Sequence, residues 1–201
     1  THMVQAEGFD IIHSHGARGN MMAAFLAKRT GLPTVSTVHS DYRLDYLGRP
    51  LSRITYGTIN TIALRKLDYR IGVSDAMVDL LIDRRFDPER IFAIYNGLDF
   101  TPRTPSMDRA TFFRSVGLDA DDTCVVAGIA ARLNPVKDIA TLIRGFARAH
   151  AEYPPLRLLI AGDGEEMESL KKLAADLGVA KEVCFAGWVS DTDSFYHALD
   201  I

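Results

Sequence analysis

Cysteine is scarce in this 201-residue chain: Cys124 and Cys184 are the two it has. Each opens an apolar run, so the pair reads as buried thiols rather than as a disulfide or a metal pair, in keeping with a reducing, cytoplasmic setting. No apolar run approaches the roughly 20 residues that a helix needs to span a bilayer, and no signal peptide precedes the first strand. Neither charge is in excess. The 23 Lys and Arg against 26 Asp and Glu leave a formal net charge of -3, so no nucleic-acid partner is expected. Internal repeats and low-complexity tracts are also missing. What remains, 47% hydrophobic and 24% charged, is a globular composition long enough for one large or two small cores.

Short runs rich in Val and Ile alternate with longer segments of helical period, the pattern of parallel strands joined by crossover helices. Seven runs read as strands: FDIIHS, PTVSTVH, DYRIGVS and IFAIYN before residue 100, then CVVAGIA, LRLLIAG and EVCFAG. Helices are expected at about 19–29, 51–67, 75–84, 108–116, 138–150 and 165–177. Gly31-Leu32-Pro33 stops the first, and Asp75 after Ser74 is placed to help cap the third. Residues 99–107, DFTPRTPSM, carry two prolines and no period and read as a linker. The closing DTDSFYHALDI reads as a helix running into a further strand. The fold class is therefore α/β: two doubly wound Rossmann-like units with parallel sheets, 1–100 and 101–201, whose nearly continuous apolar strands call for helices on both faces. Thr1-His2-Met3 looks like a cloning remnant, and the native chain is expected to begin upstream of Val4.

Ligands of open parallel sheets bind outside the carboxyl ends of the strands, so the turns after each strand are the places to search. After CVVAGIA comes Arg132-Leu-Asn-Pro-Val-Lys137. An Arg fork and a Lys point charge at the start of a helix suit a diphosphate, because the Arg bonds two oxygens while the Lys neutralises their charge. The plainer reading is a solvated turn with two surface cations. After LRLLIAG, Gly162 and Gly164 flank Asp163, giving either an ordinary strand-to-helix turn or close backbone approach to a ligand. After the last strand, Gly187 and Trp188 offer main-chain groups and an aromatic ring suited to a nucleobase, although one Trp more often packs. His13 and His15 close the first strand and His39 follows the second. With no firm acidic or thiolate companion they are not expected to hold a metal, and hydrogen bonding to a polar substrate or structural roles remain open.

Read in order, DIIHSHG, PTVSTVHS, YRIGVS, IFAIYNGLD, IAARLNPVKD, LLIAGDGEE and VCFAGWVSD resemble the retaining GT-B glycosyltransferases of the family 4 group, along nearly the whole chain. The resemblance implies an enzyme that moves a sugar from a nucleoside-diphosphate sugar to an acceptor hydroxyl with retention, without a metal or other cofactor. It implies that Arg132 and Lys137 hold the donor diphosphate and stabilise the leaving group. His39 would face the donor sugar and the acceptor, Asn96-Gly97 would precede the interdomain crossing, and the main chain around Gly187 and Trp188 would receive the nucleobase. Asp138 stands where the family often has a glycine, adding a negative charge beside the diphosphate. The family's glycine-rich acceptor loop is expected before Val4 and its paired-glutamate segment after Ile201. The chain is thus expected to hold the second half of an acceptor-side domain and the first half of a donor domain, both incomplete, joined at a cleft that excludes water, and to be inactive alone.

Three rivals share these features: a nucleotide-binding module without catalysis, a sugar-nucleotide epimerase of the same architecture, and an interaction domain with no nucleotide affinity. Incomplete sheets expose edges, from which an oligomer or strand exchange is expected. The acceptor implied is a saccharide or a lipid-linked sugar in polysaccharide or glycolipid biosynthesis, in the cytoplasm or at the inner face of the membrane. Arg43, Arg49, Arg53, Arg65, Lys66 and Arg70 would help a peripheral approach to a membrane, although the interleaved Asp41, Asp45 and Asp68 favour an ordinary solvated face.

Overall fold

The computed structural model describes residues 2–44, 57–101 and 103–201. The chain divides between Asp99 and Phe100 into two compact units.

After a short helix α1 (His2–Ala6), the first unit alternates β1 (Ile12–His15), α2 (Gly16–Thr30), β2 (Thr34–Val38), α3 (Thr58–Lys66), β3 (Tyr69–Gly72), α4 (Asp75–Asp83) and β4 (Ile91–Ala93). The strands are parallel in the order β1-β2-β3-β4. Right-handed crossovers that always step the same way lay their helices on the same face of a sheet. That face holds the core: Ala23, Leu64, Leu67, Leu81 and Phe86 pack against Val38 and Ile91. Polar strand residues on this side find partners in the helices and in the turn that leads into β3. The Arg70 guanidinium, 4% exposed, closes α3 by donating from Nε to the Leu64 carbonyl at 3.1 Å and stacks over Phe86. Asp68, at the start of β3, accepts from both the amide (2.9 Å) and the hydroxyl (2.8 Å) of Thr34; the hydroxyl bond foremost holds its carboxyl below the usual range. The opposite face carries His13, His15, Tyr69 and Phe92, all exposed.

The second unit runs α5 (Arg109–Val116), β5 (Val125–Ala130), α6 (Ile139–Glu152), β6 (Leu156–Ala161), α7 (Met167–Asp176), β7 (Val183–Gly187) and α8 (Thr192–His197). Its strands are parallel in the order β5-β6-β7. Alternation along β6 sends Leu158 and Ile160 to one side, into a core with Ile139, Ile143, Phe146 and Leu170. Leu159 and Ala161 go to the other, where they meet Phe112, Phe113 and Phe195. Both faces of this sheet are therefore covered.

All seven expected strands are present, with shifted ends. β1 begins at Ile12 and β4 stops at Ala93, where the ladder to β3 runs out after Ile94 donates to the Gly72 carbonyl at 3.0 Å. Ser74 caps α4, accepting from the Met77 amide at 3.2 Å. Asp75 instead accepts the Tyr95 hydroxyl at 2.5 Å, a bond that pushes the Tyr95 pKa up. Arg70 is removed from any basic surface because strand alternation turns it to the helix side. Arg49, Arg53, Asp45 and the expected helical residues 51–56 lie outside the described residues. Both cysteines are free and only partly buried. Among the described residues no helix is long and apolar enough to cross a membrane.

Candidate functional site

The chain after α8 returns to the far side of β5. The Asp200 amide donates to the Val126 carbonyl at 2.9 Å, and the Gly128 amide donates to the Ile201 carbonyl at 2.9 Å. Arg109 clamps the segment by donating from Nη1 and Nη2 to the two Asp200 carboxylate oxygens at 2.9 and 2.6 Å, and Asp200 also accepts the Val126 amide at 2.8 Å. The Arg109 bonds, first among the causes, hold the Asp200 carboxyl below its usual pKa. β6 and β7 thus extend the sheet to one side of β5 while residues 199–201 begin on the other. Strand order reverses at β5, and in open α/β sheets the crevice beyond the carboxyl end of such a strand is where ligands bind.

Arg132 and Lys137 occupy that place. The turn leaves β5 at Ala130, passes a 3-10 turn at Pro135–Lys137, and starts α6 from Asp138. Asp138 has left-handed backbone (φ 46, ψ 45) and its carboxylate accepts the Thr141 amide, so an Asp tolerates the position by capping the helix. Lys137 therefore precedes α6 instead of opening it. Both cations are exposed. Four acids of this unit are paired with other cations: Asp193 with Arg103, Asp200 with Arg109, Glu168 with Lys171 and Asp176 with Lys172. Among the described residues no ion pair engages Arg132 or Lys137, which leaves two full charges beside the first amides of α6, where an anion is favoured. In the same turn the Asn134 side-chain oxygen is buried with no partner.

Three turns after consecutive strands are laced by main-chain bonds. Ala131 donates to the Ala161 carbonyl at 2.9 Å, Leu133 to that of Asp163 at 2.9 Å, and Gly162 to that of Gly187 at 2.6 Å. Gly162 and Gly164 make this lacing sterically feasible. A Cβ on Gly162, whose φ is +133, would lie 1.9 Å from the Ala131 carbonyl oxygen, and one on Gly164 would lie 2.1 Å from that of Leu133. The close approach that the two glycines permit is thus made by the Arg132 turn itself, so they shape the cation-bearing loop. Beyond Gly187, the Trp188 ring is 84% exposed at the same edge of the sheet.

In the first unit, His39 follows β2 and is exposed. Its Nε2 meets Nδ1 of His15 at 2.9 Å, the rings stacked at 5.2 Å between centroids. His13 approaches the Thr37 hydroxyl at 2.8 Å, and burial first, then the neighbouring His15 and His39, hold its pKa down. Among the described residues no group of three or more His, Cys, Asp or Glu is placed to hold a metal ion. Behind these strand ends lies a buried polar cluster that sequence reading passed over. Asn20 Oδ1 accepts the hydroxyls of Ser14 (2.8 Å) and Ser36 (2.6 Å), and Asn20 Nδ2 donates to Asn60 Oδ1 at 2.9 Å. A signal was available: Ser14 and Ser36 interrupt apolar positions on the helix side of two adjacent strands.

Comparison with known proteins agrees with this architecture. A family model described as Glycosyltransferase Family 4 matches residues 1–101, and one described as Glycosyl transferases group 1 matches residues 109–201. The D-inositol 3-phosphate glycosyltransferase of Stackebrandtia nassauensis is 29% identical over 194 residues, covering 88% of this chain and 42% of that protein. An Escherichia coli UDP-Gal:alpha-D-GlcNAc-diphosphoundecaprenol alpha-1,3-galactosyltransferase is 25% identical over 209 residues, covering 99% of this chain and 52% of that protein. Among solved structures, Anabaena Alr3699/HepE in complex with UDP-glucose matches with a TM-score of 0.78 at 22% identity, over 99% of this chain and 54% of that one. The chain spans about half the length of the relatives it matches. With both units matched in chain order, and with two parallel α/β sheets of the GT-B kind, the chain belongs to the family 4 glycosyltransferases.

Proposed function

We propose that the protein is a retaining glycosyltransferase that moves a sugar from a UDP-sugar to an acceptor hydroxyl, and that this chain, inactive alone, carries its donor-diphosphate grip. The observation that carries the reading is the pair of unpaired cations, Arg132 and Lys137, beyond the strand at which the sheet order reverses. As the bond from the anomeric carbon to the diphosphate breaks, negative charge gathers on the departing oxygens. Fixed cations aimed there stabilise it without a metal ion. Retention fits a same-face course, in which the acceptor oxygen bonds to the anomeric carbon on the side from which the diphosphate departs and the leaving phosphate oxygen takes the acceptor's proton. Main-chain groups around Gly187 and the exposed Trp188 ring would receive the uracil, and Gly162 and Gly164 would serve by holding the loop. His39 would act on the acceptor side. UDP is favoured because the Anabaena structure is described with UDP-glucose and the E. coli relative's name gives a UDP-galactose donor.

That same name gives a diphosphoundecaprenol-linked acceptor, and a surface of this chain suits an approach to such a lipid. A groove of about 620 Å³ between α2 and α3 is lined by Met21, Phe25, Ile59 and Ile62 together with Lys28, Arg29 and Lys66. Apolar and basic side chains side by side favour an anionic membrane surface. The sheet-edge positions of β1, β4 and β7 also favour association with further strands.

Calorimetric titration with UDP, GDP and ADP tests the donor site, with Arg132→Ala and Lys137→Ala alongside. UDP is expected to bind, and each substitution to remove roughly 1.5–3 kcal/mol as a charged hydrogen bond is lost. A folded chain that binds none of the three nucleotides would refute a donor grip built from these residues.

A further inference from the structure

We propose that His15 is a positioning residue for His39: the two rings share one proton between Nδ1 of His15 and Nε2 of His39, and His39 thereby turns its Nδ1 outward to the ligand. The role for His39 rests on the transferase reading above, whereas the pairing rests on the geometry alone.

β1 and β2 run parallel in a register that sets His13 beside Val35 and His15 beside Thr37. Side chains two residues apart in a strand share a face, so His13, His15, Thr37 and His39 project on the same side of the sheet. A diagonal reach of two residues brings His13 Nε2 to the Thr37 hydroxyl at 2.8 Å. The same reach one step further along brings His15 to His39 at 2.9 Å. The contact therefore follows from the register, and the register is clamped from behind. On the helix side, the buried hydroxyls of Ser14 and Ser36 converge on Asn20, which is tied in turn to Asn60.

A hydrogen bond between two imidazoles needs one N–H and one lone pair, so the tautomers of the two rings are locked to each other. If His15 Nδ1 carries the proton, neutral His39 must hold its own on Nδ1. If His39 Nε2 carries it, His39 Nδ1 is a lone pair. In either arrangement the character of His39 Nδ1, donor or acceptor, is the one that the His15 tautomer dictates, a constraint that an unpaired ring would lack. The pair accepts at most one further proton before two N–H groups face each other. The His13 ring lies against that of His15, tilted by 32° at 4.5 Å between centroids, and the carboxylate nearest along the chain, Asp41, is taken by Arg84 at 2.5 Å. No carboxylate thus displaces His15 from its partner among the described residues.

Imidazole nitrogen NMR on the 201-residue chain tests this, because the two tautomers place Nδ1 and Nε2 at distinct shifts. Wild type should show His39 in one tautomer. His15→Ala should move the His39 nitrogens toward the tautomer average. His15→Asn, whose side-chain amide offers a donor and an acceptor near the lost Nδ1, should restore the wild-type pattern. His39 shifts indifferent to His15→Ala, or an Asn variant that behaves like the Ala variant, would overturn the pairing. UDP titration of the same samples separates the two readings. Binding together with indifferent shifts sinks the positioning role and leaves the transferase standing. Responsive shifts with no nucleotide bound by any sample would strip the pair of its catalytic meaning.

Discussion

The two units use the same alternation of strand and helix, yet the second covers its sheet on both faces while the described helices of the first pack against one. The strand sequences follow from this. β6, LRLLIA, has its last four residues buried and apolar on both sides. β1, IHSH, and β2, TVSTV, alternate, with small hydroxyl-bearing residues turned to the helices and imidazoles turned outward. A titratable ring buried under a helix would need a partner or lose its charge. The open face is where three histidines can sit close together and still meet water. In the second unit the exposed cations Arg132 and Lys137 stand in a turn at a strand end, because the faces are taken.

The sharpest way to break this contrast is to truncate neighbouring residues on β6. Leu159→Ala and Ile160→Ala empty opposite faces of one sheet, and both residues are 0% exposed. Each should destabilise the second unit by about 2–5 kcal/mol in denaturant unfolding, the usual cost of a buried large-to-Ala change. A small effect at Leu159 alone would mean that α5 and α8 do not seal their side.

A smaller effect is expected where the second unit's turns are laced. Gly164→Ala would set a Cβ against the Leu133 carbonyl oxygen, which is backbone and cannot swing away. About 1–3 kcal/mol of destabilisation is expected from such overpacking. UDP affinity should fall with it, because the displaced strand of chain is the one that carries Arg132. Destabilisation with unchanged affinity would separate the loop's packing from its binding.

This glycine also marks the limit of what the sequence discloses. The seven strands were legible because apolar periodicity is local, and Arg132 and Lys137 were legible because charge directly after an apolar strand is conspicuous. Gly162 and Gly164 were visible as sites of close approach, but which atoms approach depends on a turn some 30 residues earlier in the chain. The same holds for Arg70: one residue of strand phase decides whether a guanidinium reaches water or caps a helix. The His15–His39 contact was hidden for a related reason. H-x-H and T-x-H are each plain in the sequence, but only the β1–β2 register makes them neighbours. The strand ends at Ile12 and Ala93 moved because a strand ends where its neighbour's ladder ends, whatever its own composition.

The smallest expected effect lies on the open face of the first unit, and it is the one that most tightens the comparison. Phe92 is 49% exposed and stands 6.1 Å from Tyr69, itself 41% exposed. A fully buried Phe contributes about 1.5–3 kcal/mol, so half-burial in an aromatic pair leaves Phe92→Ser a cost near 1 kcal/mol. That is well below the value expected for Leu159. Equal costs at the two sites would mean that the first sheet is covered in solution after all. Repeating the measurement over a range of protein concentrations would then show whether the cover is a second copy: a cost that grows with concentration identifies self-association across this face, and a constant one places the cover within the chain.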